Sequence, residues 1–387
     1  MADNNENKVL NVPHLRFPEF TDEWKESVLS DFVERVKRKN KNNLCKLPLT
    51  ISAQYGLVDQ ISFFNKVIAS ENMSNYYLLH KGDFAYNKSY SSEYPWGAIK
   101  RLDCYEQGTL SSLYICFKPY SHVSSDFLTH YFETSKWHQG ISEIAVEGAR
   151  NHGLLNVGIQ DFFETRHCLP QSLLEQEKIA KFLNLIEERI ATQNKIIEKL
   201  ETLIKGIRHK VFKQLRKDIG FNATIGNILS FEQPQRYIVS SAEYSNDDTF
   251  TPVLTANKAF ILGYTTETDG IYGKGDCIII DDFTLDCKYV SFPFKVKSSA
   301  IKILTAKNKF ILRYAYEYLK SLELSTEEHK RHYIAEVQPH SCVLPDENTL
   351  KTIALVFENL ACKLANEQSL VLIFNKQKQY LLSKMFI

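Results

Sequence analysis

Apolar residues recur at Ile186, Ile190, Ile197, Leu200, Ile204, Ile207 and Val211, with Gln193 filling the one gap. The steps alternate between four and three, the spacing of a coiled-coil seam rather than of a wide globular face. The same pattern returns at an offset of 174 positions, as Leu360, Leu364, Val371, Phe374, Leu381 and Met385. The repeat runs without a gap from Ile179 to Phe212 and from Ile353 to Phe386. A Leu-Pro pair precedes each copy, Leu169-Pro170 and Leu344-Pro345, and the copies close on Lys210-Val211-Phe212 and Lys384-Met385-Phe386. Two long amphipathic helices are predicted, each roughly 50 Å long at about 1.5 Å per residue. A single globular core has no need of a helix that long, so a repeated pair predicts two helices packed on each other as a spacer. The economical path is antiparallel. It brings Gln193 to Glu367, the one seam position polar in both copies, and Lys378 to Glu187 or Glu188.

Between the helices the pattern changes to short apolar runs punctuated by glycine. Tyr76 to Leu79 and Leu113 to Phe117 read as strands in the first stretch, and Cys277 to Ile280, Tyr289 to Phe292 and Ile301 to Leu304 in the second. Helices are expected near Ser125 to Thr134 and Ile311 to Leu322. The fold class is therefore α+β: two mixed β domains with attached helices, separated by two long antiparallel coiled-coil helices in a pseudo-twofold repeat. The expected boundaries are an irregular leader over 1–20, a first domain over 21–170, a central spacer helix over 171–217, a second domain over 218–344 and a C-terminal spacer helix over 345–387.

Composition changes this picture little. The 387 residues are 44% hydrophobic and 24% charged, as in ordinary globular proteins. No apolar run approaches the ~20 residues that span a membrane. The opening Met-Ala-Asp-Asn-Asn-Glu-Asn-Lys is polar and lacks the apolar core of a signal peptide, so the expected compartment is the cytoplasm. Eight cysteines form no C-x-x-C pair and read as free thiols. The formal net charge is only +1, but six Lys or Arg with no acid crowd Lys205 to Lys217, and six crowd Arg35 to Lys46. Each run fits a solvated basic face or a polyanion-binding one.

With this layout, particular segments resemble the specificity subunit of type I restriction-modification systems, over nearly the whole chain. Leu15-Arg16-Phe17-Pro18-Glu19-Phe20, Trp24 and Val28-Leu29-Ser30-Asp31 look like the entry to that family's first target-recognition domain. Lys81-Gly82-Asp83-Phe84-Ala85-Tyr86-Asn87-Lys88, Gly97-Ala98-Ile99-Lys100-Arg101-Leu102 and Gly148-Ala149-Arg150-Asn151-His152-Gly153 are similar to its recurring motifs. Glu175-Gln176-Glu177-Lys178-Ile179-Ala180 resembles the opening of its central helix. Lys274-Gly275-Asp276-Cys277-Ile278-Ile279, Asp281-Asp282-Phe283-Thr284 and His329-Lys330-Arg331-His332-Tyr333-Ile334 are of the same type. The second helix departs from the pattern, opening on Thr349-Leu350-Lys351-Thr352, and the second domain lacks a counterpart of Trp24.

The resemblance implies two target-recognition domains, each reading one half of a bipartite, asymmetric site in double-stranded DNA. It implies helices that set the spacing and dock two modification (methyltransferase) subunits, and two restriction (motor-nuclease) subunits in the full complex. On a ~50 Å bar the readers would stand roughly fifteen base pairs apart. S-adenosylmethionine, ATP and Mg are then expected on the partner subunits, and no cofactor in this chain.

Reading DNA takes cations for phosphates and polar or aromatic loops for base edges. In the first domain the candidates are Lys37, Arg38, Lys39 and Lys41; Ser52, Gln54 and Tyr55; Asn87, Lys88, Ser89 and Tyr90; and Arg150, Asn151 and His152. In the second they are Gln233, Gln235, Arg236 and Tyr237; Lys258, Tyr272 and Lys274; and Lys330, Arg331 and His332. Helix-pair contacts are expected from Ile186, Ile190, Gln193, Ile197, Leu200 and Ile204, against Leu360, Leu364, Glu367, Val371, Phe374 and Lys378.

Catalytic signatures are missing. The sequence holds no N-P-P-aromatic motif, no G-x-x-x-x-G-K-[ST] and no H-E-x-x-H, and Gly270-Ile-Tyr-Gly-Lys-Gly275 reads as turn chemistry. Asp281-Asp282 and Asp247-Asp248 are neighbours in sequence, so on a strand they face opposite ways and do not share an ion. No metal site is expected. The alternative reading is a protein-interaction scaffold or antirestriction decoy that uses the helix pair without reading DNA.

Overall fold

The computed structural model describes residues 11–145, 153–256, 259–324, 326 and 330–387. The chain forms two compact units, one running to Thr192 and taking in Leu372–Ile387, the other Gln193–Val371.

In the first unit a four-stranded antiparallel sheet has the order Val33–Arg35, Ile115–Pro119, Phe84–Asn87, Ala98–Arg101. Successive strand residues point to opposite faces. Phe84 and Tyr86 therefore join Phe117, Phe132, Trp137 and Phe162 on one side, while Ala85 and Cys116 join Leu79, Leu102 and Leu110 on the other. The second layer is built from the hairpin Leu49–Ser52 with Gly56–Asp59 and the pair Tyr77–His80 with Gln107–Leu110. The helix Ser125–Tyr131 covers the aromatic side. It starts where Ser124 Oγ accepts the Phe127 N–H at 3.2 Å, satisfying one of the free donors of a helix start.

The second unit repeats the construction. Its four-stranded antiparallel sheet has the order Ser230–Glu232, Ile301–Thr305, Cys277–Asp281, Cys287–Val290. As in the first sheet, the earliest strand sits at one edge and the central strand pairs with the strand that follows it. Ile278 and Ile280 face the helix Lys309–Ser321, among Leu312, Tyr314 and Ala315; Cys277 and Ile279 face Leu254, Phe294 and Val296. The turn before each central strand is matched too. Gly82 in Lys81-Gly82-Asp83 and Gly275 in Lys274-Gly275-Asp276 adopt φ of 90° and 95°, a region open to glycine at little cost.

The central helix spans Leu173–Asp218, 46 residues, and runs beyond its repeated segment at both ends; the C-terminal helix spans Glu347–Lys384, 38 residues, starting before its repeated segment and stopping two residues short of Phe386. Within the first unit Ile179, Leu183 and Ile186 pack with Leu381, Leu382 and Met385, Lys378 Nζ lies 2.6 Å from Glu187, and Arg189 covers the Phe374 ring. Within the second unit Leu200 and Ile204 pack with Phe357, Leu360 and Leu364, and Gln193 Nε2 donates to Glu367 Oε2. In each unit rising numbers on one helix meet falling numbers on the other, which is antiparallel packing. Ile190, Ile197 and Val371 are half-buried along these faces.

The described part of the leader is packed rather than loose. Arg16 Nε and Nη2 donate to Glu175 at 2.7 and 2.8 Å, and Trp24 Nε1 donates to the same carboxylate at 3.1 Å. Phe17 packs edge-on against Phe182, the Leu15 N–H donates to the Lys384 carbonyl at 2.9 Å, and Trp24 meets the Phe386 ring at 6.3 Å. Residues 11–24 thus fasten the start of the central helix to the end of the C-terminal one. The path of this segment is irregular, with neither helix nor strand among the described residues before Lys25.

Lys25–Val28 pairs with Arg166–Leu169, which carries buried His167. Its ring nitrogens meet Tyr131 Oη and Thr165 Oγ1, each at 2.8 Å, and burial pushes its pKa down to about 3. Burial disfavours the protonated ring in the folded state only, so the contribution of this group is complete above about pH 6.5 and is lost as the pH falls toward 3. First-unit stability is expected to drop by roughly 2 kcal/mol between pH 8 and pH 5 from this group. Chemical unfolding at both pH values checks it, with His167→Gln flattening the difference.

Candidate nucleic-acid interface

In the first unit the loop after Val33–Arg35 carries the basic run, and the structure sorts its cations. Lys37 and Lys41 are exposed. Arg38 is drawn to Asp83, a carboxyl that also accepts the His80 N–H and whose pKa is raised by burial. Lys39 donates to the Asn75 carbonyl at 2.8 Å and sits 3.8 Å from the Tyr77 ring centroid. Asn42 and Asn43 take φ of 58° and 54°, a left-handed turn that asparagine tolerates, and Asn43 then bonds Glu71 O and Met73 N. The loop is held in shape, with the Lys37 and Lys41 side chains exposed.

Ser52 is half-buried and its Oγ accepts the Tyr55 N–H at 3.1 Å, turning the hairpin so that Gln54 and Tyr55 project; Tyr55 is 69% exposed. Asn87 Oδ1 accepts the Ser89 N–H at 3.0 Å, Lys88 is half-buried, and Ser89 and Tyr90 are exposed. The Tyr90 N–H donates to Gly153 O and the Leu155 N–H to Lys88 O, so this strand extension is braced by Gly153–Leu155. Arg150, Asn151 and His152 lie outside the described residues, as does Lys258 in the second unit.

In the second unit Gln235 and Arg236 are exposed on a short turn over Pro234–Tyr237. Gln233 accepts from Lys302 Nζ at 3.0 Å, and Lys274 pairs with Glu232 at 2.8 Å. Lys330 is exposed, 3.5 Å from Glu336, and Arg331 lies over the Phe283 ring at 5.9 Å. Three residues expected at bases are buried instead. Tyr237 is enclosed and bonds Glu232 at 2.8 Å, Tyr272 is packed against Phe294, and His332 bonds Thr326 and Glu336 at 2.9 and 2.8 Å. They support their loops from beneath, which corrects the expectation that their side chains face bases. Motif membership gave no sign of which way a ring turns.

The sequence reading also missed what holds the Lys330–Arg331 loop. Asp282 pairs with Lys302 at 3.0 Å, both almost fully buried, and accepts the Tyr333 N–H at 2.9 Å, while the Asp282 carbonyl accepts the His332 N–H. The neighbouring Asp281 turns the other way and accepts the Phe283 and Thr284 N–H groups at 2.9 Å. The Asp-Asp pair is an anchor and a turn.

Burial raises Cys116 and Cys277 to about 12 and Cys168, Cys287 and Cys342 to about 11, so these thiols stay protonated. Among the described residues no three His, Cys, Asp or Glu side chains gather as metal ligands, and no helix is long and apolar enough to cross a membrane.

No protein-family model matches the chain. Over 142 residues it is 44% identical to the specificity subunit of a type I restriction enzyme of Escherichia coli, a match covering 35% of each chain, so about a third of that relative's length is spanned. Among solved structures it is similar to the S subunit of the type I restriction-modification system from M. genitalium, with a TM-score of 0.60 at 16% identity over 97% of this chain and 99% of that one. A chain from a study of complex assembly and conformational transition of the type I system matches with a TM-score of 0.50 at 14% identity, over 94% and 97%. The fold is that of these S subunits.

Proposed function

We propose that this chain, which shares the S-subunit fold, is the DNA-sequence-recognition subunit of a type I restriction-modification complex and is itself non-catalytic. Each unit reads one half of a bipartite, asymmetric site in double-stranded DNA. The observation that carries this reading is the duplication: the same four-stranded sheet with the same glycine turn occurs twice, joined by two long helices. A protein with two copies of one reader suits a site with two half-sequences. The 142-residue match to a specificity subunit supports it.

Lys37 and Lys41 in the first unit, and Arg236 and Lys330 in the second, take backbone phosphate. Gln54, Tyr55, Ser89, Tyr90 and Gln235 face base edges. The helices fix the distance between half-sites and offer exposed Leu185, Leu203, Leu372 and Ile373 to two modification subunits. S-adenosylmethionine, ATP and Mg, with the two restriction subunits, belong to the rest of the complex. The complex acts in the cytoplasm.

Binding to duplex DNA tests the reading. The logarithm of the affinity should fall steeply and linearly with log salt, and Lys37→Ala with Lys41→Ala should flatten the slope by about two phosphate contacts without changing the preferred sequence. A scaffold or decoy that does not read DNA would show neither slope nor preference.

A further inference from the structure

Five large apolar side chains stand exposed in a short stretch of the first unit: Phe63 and Phe64, 44% and 43% exposed, with Ile61, Val67 and Ile68. Phe63 and Phe64 belong to the short helix Gln60–Phe64 that follows the Leu49–Asp59 hairpin, their ring centroids 5.0 Å apart and nearly perpendicular. Tyr55, at the hairpin tip, adds a third ring edge-on to Phe63 at 6.5 Å. Clustered aromatic exposure of this kind marks a binding surface rather than chance surface composition.

Its surroundings identify the partner. The segment following the rings is bonded to the basic loop: Lys39 holds Asn75, and Asn43 holds Glu71 and Met73. From Arg35 to Asn75 there are seven Lys or Arg and two acids, Asp59 and Glu71. Asp59 is occupied by the helix start, accepting the Ile61 N–H and Ser62 Oγ. A partner that is only apolar would leave that cationic border unmatched. A duplex gains from both parts, since phosphates meet the lysines while an apolar side chain can enter a groove and wedge against a base step.

We propose that Phe63 and Phe64, steadied by Tyr55, form an aromatic wedge that packs against and partly unstacks one base step of the DNA half-site bound by the first unit. The wedge adds shape readout, because pyrimidine–purine steps open more easily than others. It rests on the DNA-reading function proposed above, and the second unit is not required to have one.

The test uses the complex with its modification subunit and duplexes carrying the motif it methylates, with 2-aminopurine placed at successive positions. In the wild type one position of one half-site should brighten on binding, which reports unstacking. Phe63→Ala with Phe64→Ala should abolish that signal and weaken binding about tenfold per ring, with binding to unrelated duplex unchanged. The rings are exposed, so melting should not shift, and the two single variants, read separately, carry the test if the double variant melts early. Unchanged fluorescence and affinity in the variants would overturn the wedge alone. Loss of assembly with the modification subunit, with DNA binding intact, would overturn it in favour of a protein-docking surface. A wild-type complex with no preferred duplex would overturn the DNA-reading function itself.

Discussion

Glu175→Ala is expected to destabilise the first unit by about 3–5 kcal/mol, as is usual when one member of a buried ion pair is removed. Glu175 is 2% exposed and satisfies three donors, two from Arg16 and one from Trp24. Without it the Arg16 guanidinium, with a side chain only 11% exposed, keeps its charge and loses its partner, and Trp24 Nε1 is left unpaired in the core. The bridge to Phe386 at the end of the C-terminal helix then loosens as well. The melting transition of this unit should fall by roughly 10 °C. A shift within about 2 °C would show that the leader merely rests on the helices.

Asp282→Ala is expected to cost the second unit a similar 3–5 kcal/mol, because Lys302 is left buried without its carboxylate partner. This change has a second consequence. The Tyr333 N–H loses its acceptor, and the turn that presents Lys330 and Arg331 loses that tie to the sheet. DNA affinity should fall along with stability. Pairing Asp282→Leu with Lys302→Met removes both charges and should recover most of the stability, apart from the unpaired amide, which costs about 1–3 kcal/mol. Chemical unfolding of the three proteins decides it; a double variant no better than Asp282→Ala would mean that the charge pair is not the source of the loss.

Different parts of this architecture were legible in the sequence to different degrees, for physical reasons. The long helices announce themselves because the seam from Ile186 to Val211 keeps its period and repeats at a fixed offset. The central strands are harder to read. Phe84-Ala85-Tyr86 and Cys277 to Ile280 are buried on both faces, which erases the alternation that marks a half-exposed strand; only the second was legible, as an unbroken apolar run. The hairpin Leu49–Asp59 went unread as a pair of strands. Expected strands at Leu113 to Phe117 and Tyr289 to Phe292 are found at Ile115–Pro119 and Cys287–Val290, shifted by about two residues.

Site residues were legible only as types. Arg38 and Lys41 are alike in sequence, yet one is bound to Asp83 and the other is open to solvent. Tyr55 and Tyr272 are alike in type, yet the first is 69% and the second 1% exposed. Burial is decided by contacts distant in the chain, such as Phe294 under Tyr272. Glu175 and Arg16 could be found as members of motifs, but their roles as a lock emerge only when residues 159 positions apart are placed side by side.

The central claim is that each unit reads one half of a single DNA site. Co-expression with the modification subunit, followed by sequencing of methylated adenines in the host DNA, tests it most directly. The account predicts one split motif with a fixed spacer, and replacement of residues 21–170 by the corresponding part of another specificity subunit should change one half of that motif and leave the other half and the spacer as they were. A stable complex that methylates nothing, or an exchange that alters both halves at once, would contradict it.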